Sequence, residues 1–186
     1  MPLFEPYQPR KDFGAQEKIP PDLVIRLAVP SDAAAIAEIM AEREGGEADE
    51  FLKKLTREFG REDLGEKRIL FVACSQSTVV AFARIAYCTP DENAPPNNVP
   101  EGWYLGGVVV AKRYRRRGIG RALTQRRLDR LAERGAVAAW YVANAENGAS
   151  VALHEQFGFR EVTRDFVQPG VSFSGNGIGI LFRLDL

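Results

Sequence analysis

The feature that most constrains this chain is the run Val108-Val109-Val110-Ala111-Lys112-Arg113-Tyr114-Arg115-Arg116-Arg117-Gly118-Ile119-Gly120-Arg121-Ala122-Leu123. Its β-branched start predicts a buried strand, Trp103 to Val110. Gly120 to Arg134 predicts a helix with Leu123, Leu128 and Leu131 inward, although the step from Leu123 to Leu128 is out of period. A strand that feeds a helix through Gly118 and Gly120 lets backbone approach a bulky anion, and the first helical turn aims N–H groups and the positive dipole end at it. That end contributes about 0.3–1 kcal/mol to a bound phosphate before any side chain acts. Lys112, Arg113, Arg115, Arg116, Arg117 and Arg121 add six positive charges and no negative one, which suits a ligand carrying several phosphates. The plainer reading of the same residues is a glycine helix start with a solvated basic stripe. A dinucleotide GxGxxG would need glycine where Leu123 stands, and a P-loop ending in Gly-Lys-Ser/Thr occurs nowhere.

Composition bears on which partners those arginines serve. Lys+Arg 25 balance Asp+Glu 25 over 186 residues, for a formal net charge of zero. A chain devoted to coating nucleic acid or an anionic membrane would be basic overall, so neither is expected as a partner. Only Tyr114 is an aromatic among the arginines. Cys74 and Cys88 are too few for a secreted disulfide framework and are expected as free thiols. With one histidine, His154, far from both in sequence, no metal site is expected. The start, Met1 to Pro6, lacks signal-peptide character, and no apolar run reaches the ~18 residues of a membrane span, so a cytoplasmic protein is expected.

The rest of the chain predicts a mixed α/β fold. Pro2, Pro6, Pro9, Pro20 and Pro21 make residues 1–22 an irregular arm, with a single domain over 23–186. Leu23 to Ala28 is a strand; Pro30-Ser31-Asp32 starts a helix running to about Glu44; Ala48 to Phe59 is a second helix ending at Gly60. Ile69 to Cys74 and Thr78 to Tyr87 form a hairpin across Ser75-Gln76-Ser77. Thr89 to Gly102, rich in proline and asparagine, is an ordered but irregular excursion. Val137 to Ala143 is a fully apolar, buried strand, Ser150 to Phe157 a short helix, Phe159 to Phe166 a strand, and Ile178 to Leu184 the last strand. The sheet is antiparallel early and contains one parallel pair around a βαβ unit.

Two segments together carry a resemblance. Arg115-x-x-Gly118-x-Gly120 after a central strand resembles the acyl-CoA-binding motif of the GNAT superfamily of N-acetyltransferases, with Lys112 standing where that family often has proline. Asn147-x-x-Ser150-x-x-Leu153-His154-x-x-x-Gly158-Phe159 is similar to the family's later helix motif, and the order of the two matches. The resemblance covers residues 23–186. It implies a GNAT-like fold with antiparallel N-terminal strands and a splayed parallel central pair flanked by helices, with acetyl-CoA as co-substrate and no metal.

It further implies roles for single residues. Pantetheine would pair with the backbone of Val108, Val109 and Val110, and the pyrophosphate would rest on N–H groups among Arg115, Arg116, Arg117, Gly118, Ile119, Gly120 and Arg121. Gly106-Gly107 is consistent with a bulge that turns a main-chain N–H, placed at Val108, toward the thioester oxyanion. Asn147 would contact the cofactor or cap the last helix. His154 stands where many members have tyrosine to protonate the departing thiolate. An unperturbed imidazole is only about one-quarter protonated at pH 7, so that role needs a raised pKa or a water relay, and a packed structural histidine is the alternative.

The acceptor is expected to be a primary amine. Glu42, Glu44, Glu47, Asp49 and Glu50 against Arg43 give −5 + 1 = −4 near the first two helices, and Asp91, Glu92 and Glu101 add to it. This hints at a cationic amine such as an amino sugar, a polyamine or a protein amine, while solvated helix ends explain it as well. No carboxylate identifies itself as general base. A non-catalytic acyl-CoA sensor of the same fold uses the same motif, and the final strand and Pro-rich arm are surfaces on which a homodimer could pair.

Overall fold

A computed structural model describes residues 19–61, 67–173 and 177–186. Most of the arm expected over 1–22 lies outside them. Seven strands share one mixed sheet in the order β1-β2-β3-β4-β5-β7-β6, built from β1 (Val24–Leu27), β2 (Arg68–Ser75), β3 (Thr78–Cys88), β4 (Gly102–Val110), β5 (Ala138–Asn144), β6 (Arg160–Thr163) and β7 (Gly179–Asp185). The helices are α1 (Ala33–Glu44), α2 (Ala48–Phe59), α3 (Ile119–Glu133) and α4 (Gly148–Glu155). Contacts gather into two compact units, one reaching Arg84 and resuming over Gly107–Arg127, the other comprising Ile85–Gly106 and Leu128–Leu186.

In the first unit, Asp32 starts α1. Its Oδ2 accepts the Val29 N–H at 2.8 Å, and both of its oxygens accept from Arg26 of β1, at 2.6 and 2.8 Å. Ala33, Ile36, Ala37 and Ile39 then face inward at helical spacing. They pack with Leu55 of α2 and with Val72, Cys74, Phe82 and Val109 of the sheet. The β2–β3 hairpin turns through Gln76 and Ser77 at φ 49° and 62°, a left-handed pair without glycine or asparagine. Asp22 compensates by accepting from the Gln76 N–H and the Ser75 hydroxyl, and the Gln76 bond holds its carboxyl below the usual range.

The out-of-period step in α3 has a physical cause. Thr124 and Arg127 fill the inward stripe between Leu123 and Leu128, and both are fully buried. Arg127 donates through Nη1 to the Arg84 carbonyl at 3.3 Å and through Nη2 to Thr124 Oγ1 at 3.0 Å. An arginine is thus a core residue of this helix, clamping β3.

The second unit is organised on β5. It pairs in parallel with β4 over Trp103–Leu105 against Ala139–Tyr141, and antiparallel with β7 from Ala138↔Asp185 to Asn144↔Gly179. β5 is not buried throughout, as its apolar run suggests; alternate residues are, and Val137, 80% exposed, lies before it. β6 is shorter than its sequence predicts. A register shift falls between Glu161 and Thr163, and Thr163 Oγ1 accepts the Asp165 N–H at 3.0 Å, which turns the chain out of the ladder. The Pro-rich excursion is ordered by pairing with the chain just beyond β6. Val99 donates to the Val167 carbonyl and Val167 to the Asn97 carbonyl, both at 2.9 Å, and Asn97 Nδ2 donates to Asp165 at 2.8 Å.

Candidate acyl-CoA site

The turn after β4 belongs to the first unit. Val109 is buried among α1 and α2, leaving Val108 and Val110 half-buried on the opposite face of the strand. Lys112–Tyr114 form one 3₁₀ turn, Arg116 adopts φ 66° and Gly118 φ 75°, and α3 begins at Ile119. Left-handed residues close together in a turn are a feature of the backbone concavities that bind anions. The first helical bond is donated by Ala122 to the Gly118 carbonyl at 3.0 Å, so the N–H groups of Ile119, Gly120 and Arg121 precede the ladder. A Cβ on Gly118 would stand 2.9 Å from Cγ1 of the exposed Ile19 side chain, which has room to shift, so it is φ that favours glycine there.

The arginines divide into those that build the turn and those that surround it. Arg115 folds back to donate from Nε to the Val110 carbonyl at 3.0 Å, closing the loop across the end of β4. The guanidinium groups of Arg113 and Arg117 lie 5.0 and 5.6 Å from the Tyr114 ring centre, using the one aromatic of the segment as a platform. Arg116 and Arg121 are exposed. Glu42, counted in the acidic segment, accepts the Lys112 N–H at 2.9 Å; it secures the turn.

Asn147 and His154 lie in the second unit, on α4. Asn147 caps the helix, its Oδ1 accepting the Ser150 N–H at 3.2 Å. His154 is 2% exposed. Its Nδ1 donates to the Ser150 carbonyl at 2.8 Å, its ring stacks on Tyr141 at 3.7 Å and 11°, and the Phe159 edge meets it at 5.4 Å and 83°. Tyr141 donates its hydroxyl to Ser150 Oγ at 2.6 Å, so the same serine steadies both rings. Tyr141 is absent from the residues that the sequence singles out, and its only signal there is its place in the β5 alternation.

Neither cysteine has the setting of an acyl carrier. Cys74 is buried in the first core, and burial, then Glu101, push the Cys88 thiol up, away from the reactive thiolate. No group of three or more His, Cys, Asp or Glu residues among those described could hold a metal ion. None of their helices is long and apolar enough to cross a membrane.

Comparison with known proteins bears on the family and the fold. A sequence model of the acetyltransferase (GNAT) family matches residues 34–159. The ribosomal protein bS18-alanine N-acetyltransferase of Escherichia coli K12 is 33% identical over 99 residues, which cover 53% of this chain and 60% of that protein. The chain therefore spans under two thirds of that relative's length. In fold, the crystal structure of the E. coli S18-alanine N-acetyltransferase superposes with TM-score 0.62 at 23% identity, over 88% of this chain and 93% of the other. PaiA N-acetyltransferase from Thermoplasma acidophilum, solved with coenzyme A, superposes with TM-score 0.61 at 14% identity, over 88% and 99%.

Proposed function

The chain belongs to the GNAT acetyltransferase family, and from that membership we propose that it transfers an acetyl group from acetyl-CoA to a primary amine by direct attack. The observation that carries this reading is the turn from β4 into α3. Arg116 and Gly118 in left-handed conformation, followed by three N–H groups ahead of the helical ladder, form a cradle for a pyrophosphate, with Arg117 and Arg121 beside it. The residues fit the cofactor in chemistry as well as charge. The main chain of Val108 and Val109 offers groups for the pantetheine amides, with the Val110 carbonyl held by Arg115 Nε, and the Val108 N–H is the donor for the oxyanion.

In this reading the amine lone pair attacks the thioester carbonyl carbon, the C–S bond breaks, and the thiolate takes a proton as it leaves. His154 is the proposed proton donor. Because Nδ1–H is given to Ser150, donation from Nε2 requires the doubly protonated ring. The acceptor class follows the relatives, which act on an alanine of a ribosomal protein: a protein or peptide α-amine is the first candidate. Glu42 accepts the Lys112 N–H and Glu44 acts on Arg43, so these two carboxylates of the acidic segment do not choose an α-amine over the other cationic amines.

The deciding experiment is release of free thiol from acetyl-CoA by the purified chain against a library of amines and N-terminal peptides, with the acetylated product identified by mass. Turnover with a defined amine product is expected. Tight acetyl-CoA binding without turnover across the library would mark an acyl-CoA sensor instead, and failure to bind acetyl-CoA would end both readings.

A further inference from the structure

On the face packed by α1 and α2, the β3–β4 pair changes from apolar to cationic within one step. Ala111 donates its N–H to the Val80 carbonyl at 2.9 Å, and Phe82 and Val109 share the buried cluster. The next positions along that face are Arg84 on β3 and Gly107 on β4. Gly107 has no side chain, and Arg43 uses the space: its Nη1 lies 3.3 Å from where a Cβ on Gly107 would stand. The last turn of α1 thereby lays a guanidinium against β4, one residue before Val108. Burial pushes the Arg43 pKa down, Glu44 offsets part of this, and the charges of Arg115 and Arg84 push it down further.

Strand alternation puts Arg84 beside Gly107 on the face that Arg43 covers, and the charges of Arg84 and Arg115 act on Arg43. The backbone of Arg84 is clamped by Arg127, and Arg115 is tied by Nε to the Val110 carbonyl. Guanidinium groups assembled where they repel one another lower the cost of bringing an anion there, and their planar fork matches a carboxylate. Arg43 and Arg84 stand on the face of β4 opposite to Val108 and Val110, whereas the cofactor turn lies beyond the end of the strand.

We propose that Arg43 and Arg84 recognise an anionic group of the acceptor, a carboxylate carried close to the attacking amine, and so set acceptor specificity. The inference rests on the acetyl-transfer reading, since it takes the amine to be delivered beside Val108. Phosphate of the cofactor is the other source of negative charge, and the test separates the two.

Three amidated tripeptides that share an N-terminal alanine and differ at the second residue, aspartate, asparagine or lysine, serve as probes. Initial rates are measured with acetyl-CoA, and peptide binding by calorimetry with CoA present. The aspartate peptide is expected to exceed the lysine peptide about 10-fold in kcat/KM and in affinity. In Arg43→Gln and Arg84→Gln the ratio should fall below about 3-fold, through KM and not kcat, with acetyl-CoA affinity within about 2-fold of the parent. Gly107→Ala, which shifts the tip of Arg43 by only a few tenths of an ångström, should lower the ratio less than Arg43→Gln does, and Arg57→Gln on α2 should leave the preference unchanged. Equal or reversed preference, or no peptide binding at all, overturns the proposal, as does loss of acetyl-CoA affinity in the arginine variants, which would assign the cluster to the cofactor. Failure of the parent chain to bind acetyl-CoA is read separately and falls on the acetyl-transfer reading.

Discussion

At the turn after β4 the left-handed conformations of Arg116 and Gly118 lead into a helix start whose first N–H groups stand ahead of the helical ladder. On α4 the corresponding polar group is a side chain. His154 is held by the Ser150 carbonyl on one edge and by the faces and edges of Tyr141 and Phe159. The first arrangement tolerates any side chain that leaves the backbone path intact; the second depends on the shape and chemistry of one ring. This difference tells what substitution should do at each place, and it orders the effects.

The largest effect is expected at the ring. Phenylalanine keeps the stacking surface on Tyr141 but has no nitrogen, so His154→Phe separates packing from proton transfer. If His154 supplies the proton, kcat should fall about 100-fold and the alkaline fall of the pH profile that belongs to the imidazolium should vanish, while loss of the Nδ1 bond to the Ser150 carbonyl lowers the melting temperature by about 2–4 °C. An unchanged kcat with an unchanged profile would assign His154 to packing alone, and the contrast between the two sites would then be one between function and structure.

At the turn the expected effect is smaller and arises from the backbone. Gly118→Val places a β-branched residue at φ 75°. The left-handed conformation costs about 1–2 kcal/mol, and relief by refolding the cradle should weaken acetyl-CoA binding about 30-fold by calorimetry. Arg116→Gly, which relieves strain at a second left-handed position, serves as the control and should preserve the cradle. Equal affinities in Gly118→Val and the parent would show that the N–H cradle is not where the cofactor binds.

The same contrast explains what was legible in the chain. The turn is local: glycines, arginines and a strand-to-helix switch lie within sixteen residues from Val108 to Leu123, and the helix limits Ala33–Glu44 and Ala48–Phe59 follow from proline, glycine and apolar spacing. The setting of His154 is not local. Tyr141 reaches it from β5, and only the sheet decides which β5 residues face α4. Arg127 hid for a related reason: a charged residue in an inward stripe looks like a break in the period until its acceptor, the Arg84 carbonyl, is known. Arg43 over Gly107 had no sequence signal at all, because α1 and β4 are brought together by their shared core.

The smallest effect concerns two ion pairs of similar geometry in different settings. Arg26 meets Asp32 through two bonds in the first unit, and Arg164 meets Glu161 through two bonds in the second. The Asp32 side chain is 7% exposed and Glu161 42%, so solvent screens the second pair far more. The bond from Arg26 holds the Asp32 carboxyl below its ordinary value of 3.8. A carboxylate lowered in the folded state contributes stability that is fully present above its unfolded pKa and is lost as pH falls through the folded one. Arg26→Gln should therefore cost about 1 kcal/mol at neutral pH, with the difference from the parent closing in acid below the ordinary Asp32 value. Arg164→Gln should change stability little at any pH. Urea unfolding at a series of pH values checks both, and a penalty for Arg26→Gln that persists undiminished at about pH 2 would mean that Arg26 acts through its packing on the start of α1 and not through charge.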